Sequence, residues 1–169
     1  MNARHPLDAV KRLVVLHNPE STNAAYAEKL ITELRRELSG KQVSVVRTVA
    51  GSEEANRRRL VTALAKGGSA KQLLIVAGGD GAIHYAVKSL LHPDTPTRLR
   101  HTPLTPWPTG NANDFFHSIH HSGRRETAAR ILQHDDVRLV TVHPLEWQIR
   151  DETGTRQEYA VSYGTIGTS

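Results

Sequence analysis

The chain has 169 residues, of which 38% are hydrophobic and 23% are charged, so we expect about one globular domain and exclude a disordered chain. It has no cysteine, which excludes disulfides and thiolate chemistry and fits a cytoplasmic location, and it has no apolar run of about 18 residues that would cross a membrane. The net charge of +5 favours anionic partners such as phosphates, nucleic acid or an anionic lipid surface.

The first half of the sequence alternates apolar runs with amphipathic segments. The run Arg12–His17 ends at Asn18-Pro19, and because proline cannot continue a central ladder, it predicts a buried strand followed by a loop. Apolar residues at helical spacing predict a helix from Ala24 to Leu38. The predicted elements that follow are a strand to about Arg47, a helix capped by Ser52, a strand at 73–77 and a helix to about Leu91.

The second half begins with a proline-rich passage that holds a short predicted strand at 103–107. Helices are predicted from about Asn113 and over 124–134. This order of strands and helices predicts an α/β fold with a three-layer, Rossmann-like arrangement, in which helices cover both faces of a mostly parallel sheet. After Asp136, alternating apolar residues predict a C-terminal antiparallel β segment with strands at 137–142, 145–149 and 158–163 and a turn at 151–154.

The motif Gly78-Gly79-Asp80-Gly81 stands at the carboxyl end of the third predicted strand. Glycines there let the backbone approach a phosphate, and the following helix adds free N–H groups and the positive end of its dipole. A carboxylate among the glycines would repel phosphate unless it binds Mg²⁺ or a hydroxyl proton, so Asp80 is a candidate for chemistry. A tight turn in which Asp80 caps the helix explains the same residues equally well.

A second motif covers residues 106–116 and reads Pro-Trp-Pro-Thr-Gly-Asn-Ala-Asn-Asp-Phe-Phe. Its small and amide residues at a loop-to-helix junction can hydrogen-bond phosphate or ribose, and Asn113 or Asp114 would cap the helix. By itself this motif indicates a capped turn. Trp107 would line a nucleotide or acyl pocket or, in the more ordinary role, pack against the sheet.

The two motifs in this order resemble the catalytic domain of the diacylglycerol kinase family, which includes sphingosine, ceramide and bacterial lipid kinases. Asn18-Pro-Glu-Ser21 after the first strand, and Thr48 after the second, are similar to further elements of that family. The resemblance implies a two-domain enzyme that transfers the γ-phosphoryl group of ATP, with Mg²⁺, to a lipid hydroxyl such as that of a diacylglycerol. Residues 1–135 would be its α/β nucleotide-binding domain and 136–169 the start of a second, incomplete antiparallel β domain. We therefore expect a fragment of a longer protein, which on its own would bind better than it catalyses.

Position by position, the resemblance also implies the residues of the nucleotide site, which are Asn18, Thr48, Gly78, Gly79, Asp80, Gly81, Ala82, His84, Gly110, Asn111 and Asn113. Asp80 would be the catalytic residue, helping Mg²⁺ or the acceptor hydroxyl, and Asp114 would orient the loop. The implied partners are ATP and a lipid, with peripheral contact to a membrane. Nucleic acid is not expected because the positive charge is dispersed and only 5% of residues are aromatic. Unpaired strand edges in the β segment would favour a homo-oligomer.

Departures from the family pattern keep other functions open. The threonine, asparagine and glutamate that the family has after Gly81 are here Ala82, His84 and Tyr85, and a second threonine is Asn111. Losing a hydroxyl that bonds phosphate costs about 1 kcal/mol of binding. A phosphotransferase of the NAD kinase type, which shares Gly-Gly-Asp-Gly, and a non-catalytic module that binds nucleotide or lipid are the alternatives.

Two histidines raise the question of a metal site. His117 and His121 are four residues apart, and Asp114 precedes the first by three, so the three side chains would share a helix face and would suit a divalent metal. A solvated surface is the more common role for histidines in such a short pattern.

Overall fold

Four parallel strands form the main sheet of the structure, a computed structural model that describes residues 9–68, 71–119, 141 and 143–160. The elements follow in the order β1 (Arg12–His17), α1 (Ala24–Glu37), β2 (Gln42–Arg47), α2 (Glu53–Ala65), β3 (Gln72–Gly78), α3 (Asp80–Leu91), α4 (Thr97–Arg100), β4 (Leu104–Pro108), α5 (Asp114–Ile119), β5 (Leu145–Asp151) and β6 (Gly154–Ala160).

The strand order in the sheet is β2-β1-β3-β4, and every neighbouring pair is parallel. β1 and β3 lie at the centre, where they are buried on both faces, which explains their nearly continuous apolar sequences. One core cluster packs α1 against β1 and β3, and a second packs α2 and α3 against the opposite face. The α/β fold with helices on both faces of a parallel sheet is therefore confirmed.

A change of direction in the chain path lies between β1 and β3. The chain leaves β1 for β2 through α1, on one face, and returns from β2 to β3 through α2, on the other. In open parallel sheets this reversal leaves a crevice beyond the carboxyl ends of the two central strands, where ligands bind. The loops after β1 and β3 carry the Asn18-Pro-Glu-Ser21 element and the Gly78-Gly79-Asp80-Gly81 motif to that position.

β5 and β6 form a separate antiparallel pair. Asp151 pairs with Gly154, so the turn consists of two residues, and Gly154 has a φ of 131°, which glycine adopts without strain. β6 therefore begins four residues earlier than the strand predicted from residue 158. It also contacts α3.

The short helix α4 was not expected from the proline-rich passage. Pro96 occupies its N-cap position, and buried Leu99 anchors it in the core shared by α2 and α3. The predicted helix at 124–134, the predicted strand at 137–142, the end of the predicted strand at 158–163 and the boundary after residue 135 lie outside the described residues. No helix in the described ranges is long and apolar enough to cross a bilayer.

Candidate functional site

The polar residues that follow the four strands of the main sheet meet at its carboxyl edge. Asn18 follows β1, Thr48 follows β2, the glycine motif ends β3 and begins α3, and Gly110 follows β4. Because all four strands are parallel and in register, these segments lie side by side.

The two glycine loops touch each other through their backbones. A Cβ built on Gly110 would overlap the Cα of Gly79, and one built on Gly79 would lie 3.2 Å from the Cα of Gly110. Gly78 has a similar restriction, because a Cβ at that position would overlap the Cβ of Ala82. Gly78 and Gly110 therefore leave no room for a side chain, whereas a Cβ at Gly79 would need only a small shift of its neighbour.

Asp80 joins the third strand's motif to the second motif. Its Oδ1 accepts a hydrogen bond from the backbone N–H of Phe115 at 2.9 Å, and its Oδ2 accepts one from the N–H of Asp114 at 3.1 Å. These are the first amides of α5, so the carboxylate caps a helix that is distant in sequence. Asn113 or Asp114 was the expected cap of this helix, and the alternative interpretation of Asp80 made it the cap of α3, where Gly79 occupies the N-cap position instead.

Asn113 fixes the shape of the second motif. It is buried and has a φ of 56°, in the left-handed region that asparagine tolerates better than most residues. Its Oδ1 accepts the N–H of Gly110 at 2.9 Å, and its Nδ2 donates to the carbonyl of the same residue at 2.8 Å. The side chain thus closes the loop of four residues on itself.

Asn23 also contacts this loop, and sequence reasoning did not include it. Its Nδ2 donates to the carbonyl of Gly110 at 3.3 Å. Asn23 occupies the N-cap position of α1 but makes no capping bond with its side chain. A polar residue before a helix was the only signal in the sequence, and it would have indicated a cap rather than a link across 87 residues.

On the other side of the crevice, Asn18 and Thr48 contact each other. The Thr48 hydroxyl donates to Asn18 Oδ1 at 3.3 Å, and the N–H of Glu20 donates to the same oxygen at 3.0 Å. The nearby hydroxyl of Ser21 is buried and has no hydrogen-bond partner among the described residues. This wall of the crevice therefore offers hydroxyl and amide groups.

The sequence matches a protein-family model over most of its length. The family model for the diacylglycerol kinase catalytic domain matches residues 12–144, which is well over half of the chain. The chain belongs to the diacylglycerol kinase catalytic domain family. The match identifies it as a lipid kinase-like catalytic domain. No curated protein matches the sequence significantly.

Several residues implied by the diacylglycerol kinase resemblance lie near the loops without making a side-chain hydrogen bond there among the described residues. Gly81 and Asn111 are exposed, and Ala82 and His84 are partly exposed on α3. Asp114 takes part through its backbone N–H, while its side chain is exposed. Tyr85 instead ties α3 to α2, because its hydroxyl donates to the carbonyl of Glu53 at 3.1 Å, and burial raises its pKa.

A buried histidine, His17, directly precedes the loop that begins at Asn18. The His17 side chain is fully buried at the end of β1, with Nε2 3.3 Å from the Oε1 of Glu28. Glu28 also receives a bidentate ion pair from Arg47. Burial lowers the pKa of His17, and the nearby Arg47 lowers it further against the opposing effect of Glu28.

The histidine pattern on α5 receives no support as a metal site. His121 lies outside the described residues, and His117 is exposed with its ring edge-on to Phe116. Within the described part of the chain, no group of three or more side chains is arranged to hold a metal ion. Trp107 is buried in the core on the α1 side of the sheet, which corresponds to its packing role.

Proposed function

We propose that the carboxyl edge of the main sheet binds ATP and that the chain contributes to transfer of its γ-phosphoryl group to a lipid hydroxyl of the diacylglycerol type. The observation that carries the proposal is the joining of the two glycine loops. Gly79 packs on Gly110, and Asp80 bonds to the first turn of α5. The backbones of the two loops therefore lie next to each other at the carboxyl edge of the sheet.

The start of α3 supports the binding of phosphate. The helix begins at Asp80, directly after β3, and runs for 12 residues. The first amides of a helix have no acceptor within it, and the dipole adds partial positive charge there. The space beside Gly81, where a Cβ would project, is open, so a phosphate group would reach the first amides of α3 from that side without steric obstruction.

Asp80 is the residue that would hold Mg²⁺. A carboxylate has about four lone-pair directions, and the two bonds to α5 use only two of them. When bound, Mg²⁺ would neutralise charge on the phosphate groups, which is a large part of what phosphoryl transfer requires. The bonds to α5 hold the carboxylate in one position, and such positioning is the other main contribution to this reaction.

Asn18 and Thr48 would contact the nucleotide from the opposite wall of the crevice. The Thr48 hydroxyl bonds to the Oδ1 atom of Asn18, and the Nδ2 group of Asn18 takes no part in this bond. The unpartnered hydroxyl of Ser21 is an additional donor on that wall. A buried hydroxyl without a partner is costly, so a polar ligand would stabilise this loop.

Calorimetric titration with Mg-ATP, together with a transfer assay, tests this proposal. The wild-type chain should bind Mg-ATP saturably and phosphorylate diacylglycerol in mixed micelles in preference to NAD. Asp80→Asn keeps one oxygen to accept a bond from α5, so we expect a folded variant whose transfer rate is lower by about a hundredfold or more. Gly40→Ala, at an open position away from the site, is the control.

The outcomes separate the alternatives. Absence of Mg-ATP binding by a folded chain would contradict the proposed site, and transfer to NAD alone would favour the NAD kinase type. Binding without transfer to either acceptor would favour a non-catalytic nucleotide-binding module. The last outcome has one structural argument in its favour, because the Ala82 methyl group packs on Gly78 where the family has a hydroxyl.

A further inference from the structure

A second concave surface lies between the edge strand β2 and helix α2. This groove has a volume of about 420 Å³ and extends towards the amino ends of the strands, away from the proposed ATP site. We call it the basic groove, and its lining consists of Arg12, Ser44, Val45, Val46, Arg58, Arg59, Thr62, Ala63 and Lys66.

The lining of the basic groove has four cationic residues and no acidic one. Arg59 and Thr62 on α2, and Lys66 at its C-cap position, follow one another at helical spacing and are exposed. Arg58 is partly neutralised, because Glu54 accepts its hydrogen bond at 2.7 Å. Hydrogen bonds from Arg57 and Arg58 lower the pKa of Glu54 to about 2, so this carboxylate stays ionised near neutral pH. Arg59 and Lys66 have no such carboxylate among the described residues.

The inner wall of the basic groove contains a buried guanidinium group. Arg12 is only 4% exposed, and its single hydrogen bond among the described residues goes from Nη2 to the Ser44 hydroxyl at 3.1 Å. Its Nε and Nη1 are buried and have no acceptor in the described part of the chain. The amide oxygen of Gln72 is also unpartnered, and it lies beside Gly67 with the Arg12 Nη1.

A buried guanidinium without a carboxylate is unfavourable, because desolvation removes the water that stabilises its charge. An anion bound in the groove would attract the Arg12 charge. Because the surroundings of Arg12 have a low dielectric constant, this attraction would be strong and would offset the cost of burial. Exposed arginine and lysine side chains at the rim, with a threonine hydroxyl between them, are donors that suit the several oxygens of a phosphate group.

We propose that the basic groove is a second anion site, which binds a phosphate group carried by a soluble phosphate compound or by a lipid headgroup. It lies towards the amino ends of the strands, whereas the proposed ATP site lies at their carboxyl ends. The two sites can therefore be filled at the same time, and the groove is independent of whether the chain transfers phosphate.

Titration with inorganic phosphate, followed by amide chemical shifts, tests the groove directly. A saturating non-hydrolysable ATP analogue keeps the first site filled. We expect saturable shifts at Ser44 and Thr62, and affinity lower by about tenfold or more in the double variant Arg59→Gln/Lys66→Gln. The matched control, Lys29→Gln/Arg35→Gln, removes two exposed charges from α1 on the opposite face of the sheet and should retain wild-type affinity.

Sedimentation with vesicles identifies the source of the phosphate group. Vesicles of phosphatidylcholine containing phosphatidic acid are compared with vesicles of phosphatidylcholine alone. If the groove variant selectively loses binding to phosphatidic acid vesicles, and free phosphate causes no shifts in the wild-type chain, the ligand is a lipid headgroup. If free phosphate binds, the ligand is a soluble phosphate compound. Equal loss in the groove and control variants, or binding of neither probe, would overturn the proposal. The single variant Arg59→Gln replaces the double variant if the circular dichroism spectrum of the latter shows unfolding.

Discussion

Asp80 has two structural connections that a local pattern does not reveal. It is the first residue of α3, yet its carboxylate bonds to the amides of Asp114 and Phe115, more than thirty residues away. Loss of a cap of this kind costs a helix about 1 kcal/mol. A substitution at Asp80 therefore changes the position of α5 as well as the charge at the loop, and binding data have to be compared with measurements of stability.

His17 is the residue whose environment gives a clear pH dependence. Its pKa in the folded chain is lowered from 6.5, first of all by burial, with Arg47 adding to the effect and Glu28 opposing it. Below pH 6.5 the unfolded chain takes up a proton at this position, while the folded chain takes it up only at lower pH. The contribution of His17 to stability is therefore complete above pH 6.5 and is lost as the pH falls below it.

His17→Gln should reduce this pH dependence. Glutamine does not titrate, so the free energy of unfolding should fall less between neutral and mildly acid pH than in the wild-type chain. Urea unfolding at a series of pH values measures the difference, and His101→Gln, at an exposed position, is the matched control. If the free energy of unfolding of the His17 variant depends on pH as strongly as that of the wild-type chain, His17 is not the source of the pH dependence.

At the scale of elements, the site depends on how closely the loops after β3 and β4 approach each other. Gly110 and Gly79 are in backbone contact, and Asn113 and Asn23 both bond to the carbonyl of Gly110. The loop after β4 is thus held from three directions. A small shift of this loop would separate the two groups of backbone amides, and one added Cβ is enough to cause such a shift.

Gly110→Ala tests this contact. Its new Cβ would overlap the Gly79 backbone, so we expect a loss of about 1–3 kcal/mol in the free energy of unfolding and weaker binding of Mg-ATP. Gly79→Ala, whose Cβ would lie 3.2 Å from the Gly110 Cα, should lose less. Gly40→Ala meets nothing within 4 Å and should match the wild type in both measurements. Equal effects of all three substitutions in urea unfolding and calorimetry would refute the contact.

At the scale of the whole molecule, we expect unpaired strand edges to favour self-association. β2 lies at one edge of the main sheet, and β5 and β6 pair only with each other among the described residues. Unpaired backbone groups on such edges can pair with another chain. Leu145, at the start of β5, is 60% exposed and would add apolar contact to that pairing.

We expect Leu145→Lys to reduce self-association. A charged side chain on an edge strand opposes pairing with a second copy, so the average mass should fall towards that of a monomer as the concentration is lowered. Light scattering coupled to size-exclusion chromatography measures this change. Val49→Lys, which places the same charge at an exposed apolar residue outside the strands, should behave like the wild type. A concentration-independent monomer in the wild type would contradict the expectation.

The sequence by itself determined the local features of this protein. The apolar runs at 12–17 and 73–77 predicted the two central strands because strands buried on both faces have continuous apolar sequences. Helical spacing predicted α1, and its buried residues are those of the predicted face. The two motifs, in their order along the chain, indicated the family that the model over residues 12–144 matches.

Only the tertiary structure decided which distant groups meet. The bonds from α5 to Asp80, the link from Asn23 to Gly110, and the bond from Arg12 to Ser44 in the wall of the basic groove join residues that are 32 to 87 positions apart. No local pattern encodes these contacts, because side-chain periodicity fixes which face is buried but not which polar groups the folded sheet brings together. The apolar pattern of the chain determined which segments form the core. The order of the strands in the sheet determined which polar loops lie next to each other.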